Sequence, residues 1–498
     1  MALQAPPVPQ ASSRALRQTP LRWRPTLSFE RAVESAAVFF ALTGAASLVV
    51  WAFLRHRVPR LRPLLLTLAL LSVAAGAALG AWAWRETRPR DVRGSPTIFS
   101  PNLGGRQDRK QAQELRREPW PTYGRDLQRT HFAPFRHQPP FRQAWRMDAN
   151  DAIEFPPTVA YGRVYFSTFK GRFYALDAAN GKVVWKKRFP NCSPASPMLA
   201  HGVVFEAYAL PLPCARHATG GQGFVVALDA ATGRELWRHD AAPIETSPLL
   251  VGKLLYFGSW DGTFYAVNPG TGRIHWTFDA GQGITSSPTY ASAAVFVASD
   301  GGRLFALDAR TGKLRWQATS FARFGRREYF YATPTLAYGR VYIGNADGTL
   351  YAFGARTGRL LWARRAGTYI YTAAAVWRKT VYVGTWDGYF SAFDAATGDL
   401  RWRHDSPGGI SGAPTVMAGL VYYSTFGRFT NSHQRRVESG GYRTYALDAR
   451  TGKAVWQFPD GQYSPLVADE DRVYLVGSES VYGLVSRRTT LQSKAGRR

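Results

Sequence analysis

Cysteine is nearly absent. Cys192 and Cys214 are the only two in 498 residues, too few for a small scaffold built on disulfides. Charged residues make up only 19% of the chain, which excludes a disordered acidic polymer. Acidic residues are scarce beside basic ones, 34 against 63, for a formal net charge of +29. That excess makes nucleic acid or an anionic membrane surface the partner classes to weigh. The arginines are spread thinly, with short concentrations at Arg323, Arg326 and Arg327, at Arg428, Arg435 and Arg436, and in the tail from Arg487 onward. A basic surface drawn to anionic headgroups accounts for this distribution, and no nucleic-acid partner is expected. No H-E-x-x-H, G-x-S-x-G, Walker A or dinucleotide fingerprint occurs. The nine histidines form no metal-binding pair; His239 and His404 recur in W-R-H-D and so mark a repeat position.

Aromatic residues, by contrast, are 14% of the chain, with 47 glycines and 31 prolines. That mixture predicts many short aromatic strands joined by tight turns. Before them comes a different composition. After a basic tail over residues 1–34, the uncharged run SAAVFFALTGAASLVVWAFL (35–54) is long enough to cross a bilayer, and LLLTLALLSVAAGAALGAWAW (64–84) is a second such run. Residues 35–84 are therefore read as a membrane anchor of one or two transmembrane helices, the first either spanning or interfacial. Arg55, Arg57, Arg60 and Arg62 lie between the runs, and Trp82 and Trp84 sit where an interfacial anchor belongs. Arginines flank both runs, so the positive-inside rule does not orient the chain. Residues 85–118 are polar and lack apolar periodicity, and read as a linker.

From residue 119 the chain repeats itself. The unit reads YALDAANGKVVW (174–185), VALDAATGRELW (226–237), YAVNPGTGRIHW (265–276), FALDARTGKLRW (305–316), YAFGARTGRLLW (351–362), SAFDAATGDLRW (391–402) and YALDARTGKAVW (445–456). A strand of the type GRVYFS stands upstream of each copy. Alternation gives half-buried strands, and Asp261-Gly262, Asp347-Gly348 and Asp387-Gly388 supply tight hairpins. In the D-A-x-T-G turn the Asp carboxylate accepts local N–H groups while Gly takes a left-handed conformation. The following Trp is too large for one sheet to cover and is expected to wedge between neighbouring sheets. The tryptophans Trp145, Trp185, Trp237, Trp276, Trp316, Trp362, Trp402 and Trp456 recur about every 40 residues, the rhythm of a four-stranded propeller blade. The first Trp strand, FRQAWRMD (141–148), has no group before it, and the last group, ending at VYGLVS (481–486), has no Trp after it. Together they complete one sheet, so the expectation is an all-β, eight-bladed propeller of four-stranded antiparallel blades over 119–486, closed by a mixed blade and followed by a basic tail over 487–498.

The repeat A-x-D-x-x-T-G-x-x-x-W resembles the tryptophan-docking repeat of the pyrroloquinoline quinone (PQQ)-like β-propeller family, and PWPTYGRDLQRTHF (119–132) resembles the segment leading into that family's ring. The family includes quinoprotein dehydrogenases, a propeller lipoprotein of the outer-membrane barrel assembly machinery, and sensor domains, so the resemblance implies a fold and not an activity. Quinoprotein dehydrogenases resemble one another in a vicinal Cys-Cys pair over the quinone, with carboxylates and an amide holding Ca²⁺. Here the cysteines stand 22 positions apart, so neither PQQ nor Ca²⁺ is expected. Glu154 and Glu245 precede the blade-opening prolines Pro157 and Pro248, with Tyr331 and Tyr371 at equivalent positions. They are either funnel-lining or ordinary solvated rim residues. Trp260 and Trp386, before Asp-Gly turns, either stack a sugar or peptide or serve packing. Cys192 and Cys214 flank an insertion that a disulfide would staple to its blade; two separate buried thiols are the alternative. A bridge would place the propeller in an oxidising compartment. The resulting expectation is a cell-membrane protein with an extracytoplasmic propeller that binds or scaffolds. Its partners are the lipid bilayer and a protein or anionic envelope polymer, the latter engaged by loops at 206–223, 319–331 and 426–443. A PQQ/Ca-dependent dehydrogenase is the alternative.

Overall fold

The structure, a computed structural model, describes residues 62–88, 90–96, 117–214, 221–323, 326–429, 437–438, 441–463 and 465–486, with a few positions between 42 and 52 and residue 113. Two compact units are present: residues 1–89 with 322–326, and 90–321 with 327–498.

In the first unit, helix α1 spans Arg62–Thr87. Its 26 residues rise about 39 Å at 1.5 Å each. Leu64, Leu68, Leu70 and Leu71 are exposed, and Leu66–Glu86 is long and apolar enough to cross a membrane. No acidic residue opens the helix and Arg85 closes it, where a cation meets the negative end of the helix dipole. The first apolar run and both basic tails fall largely outside the described residues.

The second unit is an eight-bladed propeller. Seven blades follow one another at 158–188, 198–241, 249–279, 289–319, 335–365, 375–405 and 415–458, each with four antiparallel strands running from inner to outer; in the seventh, Phe132–Ala133 adds a fifth strand parallel to Thr415–Met417. The eighth joins the chain ends: Phe141–Asp148 pairs with Ser480–Ser486, outside Val473–Val476 and Leu466–Ala468. The expected mixed blade is therefore what closes the ring.

The repeat explains how blades dock. Each Asp carboxylate folds its turn; Asp229, for example, accepts the Thr232 N–H and hydroxyl at 2.8 and 2.7 Å. The turn's Gly has a positive φ and lies beneath the preceding blade's Trp, so a Cβ at Gly312 would sit 2.6 Å from Trp276. That Trp Nε1–H then donates to the carbonyl just after the repeat's Asp position, as Trp276 does to Ala309 at 3.1 Å and, where Gly354 stands in that position, Trp316 to Ala355 at 3.1 Å. Trp145, Trp185, Trp237, Trp362 and Trp402 make the same bond at 2.8–3.2 Å. Trp456 faces the eighth blade, whose third and fourth strands, Ser480–Ser486 and Phe141–Asp148, are far apart in sequence and have no D-A-x-T-G turn between them; it packs on Phe141 instead, ring centroids 5.2 Å apart.

Two segments outside the blades are also built in. Residues 119–133 lie across one end of the central channel. Trp120 pairs with Val159, and the amides of Leu199, Tyr290, Leu336, Val376 and Val416 donate to Pro121, Leu127, Gln128, Thr130 and His131 at 2.8–2.9 Å. Six of eight inner strands thus grip fifteen residues. Inside this plug Arg129 is fully buried. Its guanidinium donates to the Thr122 hydroxyl at 2.6 Å and to the carbonyls of Tyr123, Ser247, Pro248 and Pro288. A buried charge is tolerated when its donors are matched in this way. The linker is built in where it meets the fifth and sixth blades: Val92 pairs with Ala363, Gly94 donates to Thr397 at 2.9 Å, and Arg93 bridges to Asp399 at 2.8 Å. Trp362, beneath it, is fully buried.

Candidate functional site

Each inner strand is preceded by a short loop whose apolar residue anchors it to the ring. Ile284, Ile370 and Ile410 are buried against Gly258, Gly344 and Gly384 of the preceding blade, glycines whose missing side chains leave room for the isoleucine. The next residue then faces the channel from the end opposite the plug. This rule places Glu154, Glu245, Thr285, Tyr331, Tyr371 and Ser411 in equivalent positions around it.

The structure brings five of the six sequence-nominated funnel residues into one connected group. Tyr331 O–H donates to Glu245 Oε1, Trp260 Nε1–H donates to Glu245 Oε2 at 3.1 Å, and Tyr371 O–H donates to Tyr331 at 2.8 Å. The Tyr331 and Tyr371 rings stack with centroids 4.2 Å apart and 25° between planes. Trp386 continues the wall, 6.1 Å from Tyr371 at 29°, and Phe426 follows 5.1 Å beyond. Glu154 lies on another side, accepting from Tyr463 O–H at 3.5 Å. Glu245 and Tyr331 are buried, whereas Glu154, Trp260, Tyr371 and Trp386 remain half-buried.

Several members were not legible from the repeat. Tyr369 packs on Trp386 at 5.1 Å and donates to Tyr329 at 3.3 Å. Burial pushes the Tyr369 phenol well above its ordinary pKa, with the neighbouring tyrosines adding to it; Tyr463 is raised likewise by burial and then by the Glu154 charge. Both stay neutral donors. The floor is Tyr123 of the plug, packed with Phe155, Ala373 and Ala413. Tyr123 is also raised by burial, and Arg129 lies 5.4 Å from its ring. The result is a cup with an aromatic wall, two carboxylates and a closed base.

Two donors in this cup have no hydrogen-bond partner among the described residues: Trp386 Nε1 and Ser411 Oγ. Their segments are joined by a backbone bond, Ile410 N–H to Thr385 O at 3.1 Å.

The cysteines depart from the vicinal pair that a resemblance to quinoprotein dehydrogenases would imply. Cys192 and Cys214 form a disulfide, Cα atoms 6.0 Å apart, that ties the second blade's insertion to the loop before its inner strand. No vicinal pair is available to cover a quinone. Among the described residues no three His, Cys, Asp or Glu side chains cluster as a metal set.

Three comparisons bear on this geometry. A family model described as outer membrane protein assembly factor BamB matches residues 142–258, 261–372 and 346–497. Tetrathionate hydrolase of Acidithiobacillus ferrooxidans is 28% identical over 205 residues, 37% of this chain and 40% of that protein. The quinohemoprotein alcohol dehydrogenase ADH IIB of Pseudomonas putida is 29% identical over 187 residues, 32% of this chain and 25% of that protein. The chain therefore spans less than half the length of these curated relatives. The crystal structure of BamB from Moraxella catarrhalis is similar with a TM-score of 0.55 at 17% identity, covering 69% of this chain and 99% of that one; at such identity the likeness concerns fold alone. Since the family match runs from the ring-closing first strand through the last blade, the chain belongs to the PQQ-like β-propeller family described as outer membrane protein assembly factor BamB.

Proposed function

We propose that this protein is a membrane-anchored, extracytoplasmic binding or scaffolding module of the cell envelope, performing no chemistry and using neither PQQ nor Ca²⁺. The observation that carries the reading is the makeup of the cup. Glu245 is held by the Trp260 N–H and Tyr331 O–H within a wall of stacked rings. Such a wall provides faces and hydrogen bonds for recognition. The apolar helix Leu66–Glu86 and a disulfide suited to an oxidising compartment support the location. The outer-membrane assembly factor among the relatives supports a protein partner. An anionic envelope polymer is the second partner class, drawn to the basic surface rather than to the acidic cup. Residues 324–325, 430–436 and 439–440 of the arginine-rich loops fall outside the described residues.

The competing reading, a quinoprotein dehydrogenase, is favoured by the relative named as a quinohemoprotein alcohol dehydrogenase. Titrating the purified full chain with PQQ and Ca²⁺ while recording quinone absorbance and dye reduction separates the two. Absence of stoichiometric binding and of dye reduction is expected; tight binding with reduction would overturn the module reading. Thiol labelling of intact cells with and without reductant tests the location, with Cys192 and Cys214 expected to react only after reduction by a membrane-impermeant agent.

A further inference from the structure

We infer that the outer edge of the first blade receives an extended acidic segment of a partner protein, in the order acid, apolar residue, acid, glycine, added as a further strand where the first blade meets the second. The inference rests on the binding-module reading and gives that module its partner class.

The molecule carries its own template for such a contact. At the fifth blade the linker lies along the outer strand Leu360–Arg365. Val92 and Ala363 exchange both backbone bonds, at 2.9 and 3.0 Å. Asp91 accepts the Arg365 N–H at 3.1 Å, with the Arg364 guanidinium 3.9 Å from its carboxylate. Arg93 bridges to Asp399 of the sixth blade at 2.8 Å, and Gly94 donates to the Thr397 carbonyl at 2.9 Å. A Cβ on Gly94 would meet the Ala396 carbonyl and lie 2.8 Å from Trp362, so only glycine fits there.

The first blade repeats this cradle. A docking tryptophan followed by any residue and then two basic ones occurs at 185–188 and 362–365, and at none of the other six outer strands. Four of those six carry an acid three residues after the tryptophan, at Asp148, Asp240, Asp279 and Asp405, which repels an acidic segment. Lys186 stands opposite Tyr174 as Ala363 stands opposite Tyr351, so the backbone groups of Lys186 and the N–H of Arg188 face the outer edge. No strand lies beside that edge among the described residues. Lys187 takes the place of Arg364, and Arg163 that of Arg340, whose guanidinium donates to the linker's Ser95 carbonyl at 3.3 Å. Trp185 is half-buried, whereas Trp362, beneath the linker, is fully buried. Such an edge takes up an extended peptide through main-chain bonds, with side chains supplying the specificity.

One difference dictates the sequence of the guest. Asp399, which holds Arg93, is replaced in the second blade by the exposed Arg234. The linker's own D-V-R-G would set arginine against arginine here, which disfavours the linker of a second copy and calls for an acid in that place. Glu235, the acid beside this position, is already bridged to Lys187 and Arg238 at 3.2 Å.

The test measures fluorescence anisotropy of labelled peptides with the full chain purified in detergent. The peptides are D-V-E-G-S-P, D-V-R-G-S-P, D-V-E-A-S-P and a scrambled form of the first; polyphosphate is titrated separately by calorimetry. D-V-E-G-S-P is expected to bind, and alanine in place of its glycine, or scrambling, should weaken binding tenfold or more. Arg234→Asp should weaken D-V-E-G-S-P by a similar factor and turn the preference toward D-V-R-G-S-P, while Lys187→Gln should weaken it several-fold. Melting temperatures confirm that the variants fold, and the alanine peptide, which leaves the protein untouched, serves if one does not. Silence of D-V-E-G-S-P, or binding that scrambling, the alanine peptide and Arg234→Asp leave unchanged, overturns the inference. Polyphosphate binding without peptide binding would also overturn it while leaving the module reading standing; only PQQ binding with dye reduction removes both.

Discussion

Gly312 and Trp276 show what one repeat position has to satisfy. With φ at 71° and a Cβ that would lie 2.6 Å from the indole, this glycine is required twice, by its backbone and by its neighbour. Trp276 needs the same glycine to reach the Ala309 carbonyl. Gly312→Ala is therefore expected to destabilise strongly, and much less so in a Trp276→Ala background. A double-mutant cycle by denaturant unfolding should give a coupling above about 0.5 kcal/mol, the spread seen for independent sites; additive losses would show that the indole does not rest on the turn. Glu206 makes a second claim at this scale. It is fully buried between the first two blades, accepts from Ser167 and Ser193, and burial raises its pKa to about 8 against those two bonds. A folded-state pKa above the unfolded one means that the neutral carboxyl favours folding: its contribution is complete below about pH 4.5 and is lost as pH rises toward 8. His131 works from the other side, since burial, then the Arg129 charge, lower it to about 3, and stability is lost as pH falls below 6.5. Melting temperature recorded across pH should fall on the alkaline side, and Glu206→Gln should flatten that limb alone.

The disulfide, the plug and the docked linker are single-copy elements, and each adds something the blades cannot. Cys192–Cys214 closes a loop of about twenty residues in the second blade. Replacing both cysteines by serine should cost about 3 kcal/mol by the loop-entropy relation, read as a lower unfolding midpoint that reductant reproduces in the native protein. A midpoint indifferent to reductant would mean that the blade holds its insertion unaided. The plug and the linker also mark where the sequence stopped being informative, whereas the bridge was one of the two readings open for the cysteines. The blades were legible because each is local: Asp, Gly and Trp of one repeat meet the next repeat about 35 residues on, and periodicity exposes them. Glu245, Tyr331 and Tyr371 were legible as channel residues for the same reason, by standing at one repeat position. Tyr463 was not, because the last loop is offset by one residue from that position. Tyr123 and Phe155 form the floor through a plug that occurs once and whose pairing with six inner strands follows no period. Val92 and Arg93 lie in a polar stretch whose composition reads as tether. Only the partner strand, with Ala363 and Asp399 in place, gives them structure.

At the scale of the whole ring, stability depends on a pairing between residues more than three hundred positions apart. Phe141–Asp148 and Ser480–Ser486 share a ladder broken by one bulge between Gln143 and Trp145, and that ladder alone joins the two parts of the eighth blade. Loss of the last strand would expose the Phe141–Asp148 and Val473–Val476 edges together, a template for pairing with other chains. A chain ending after Glu479 is therefore expected to aggregate or to unfold in more than one step. A circular permutant joining residue 486 to 141 and opening between the third and fourth blades, with the plug appended separately, keeps every strand pair and should remain monomeric. The informative comparison is between these two chains by light scattering and calorimetry. If the truncated chain stays monomeric with a single transition, the terminal blade is dispensable, and the tryptophan–turn bonds between sheets must hold the circle closed by themselves.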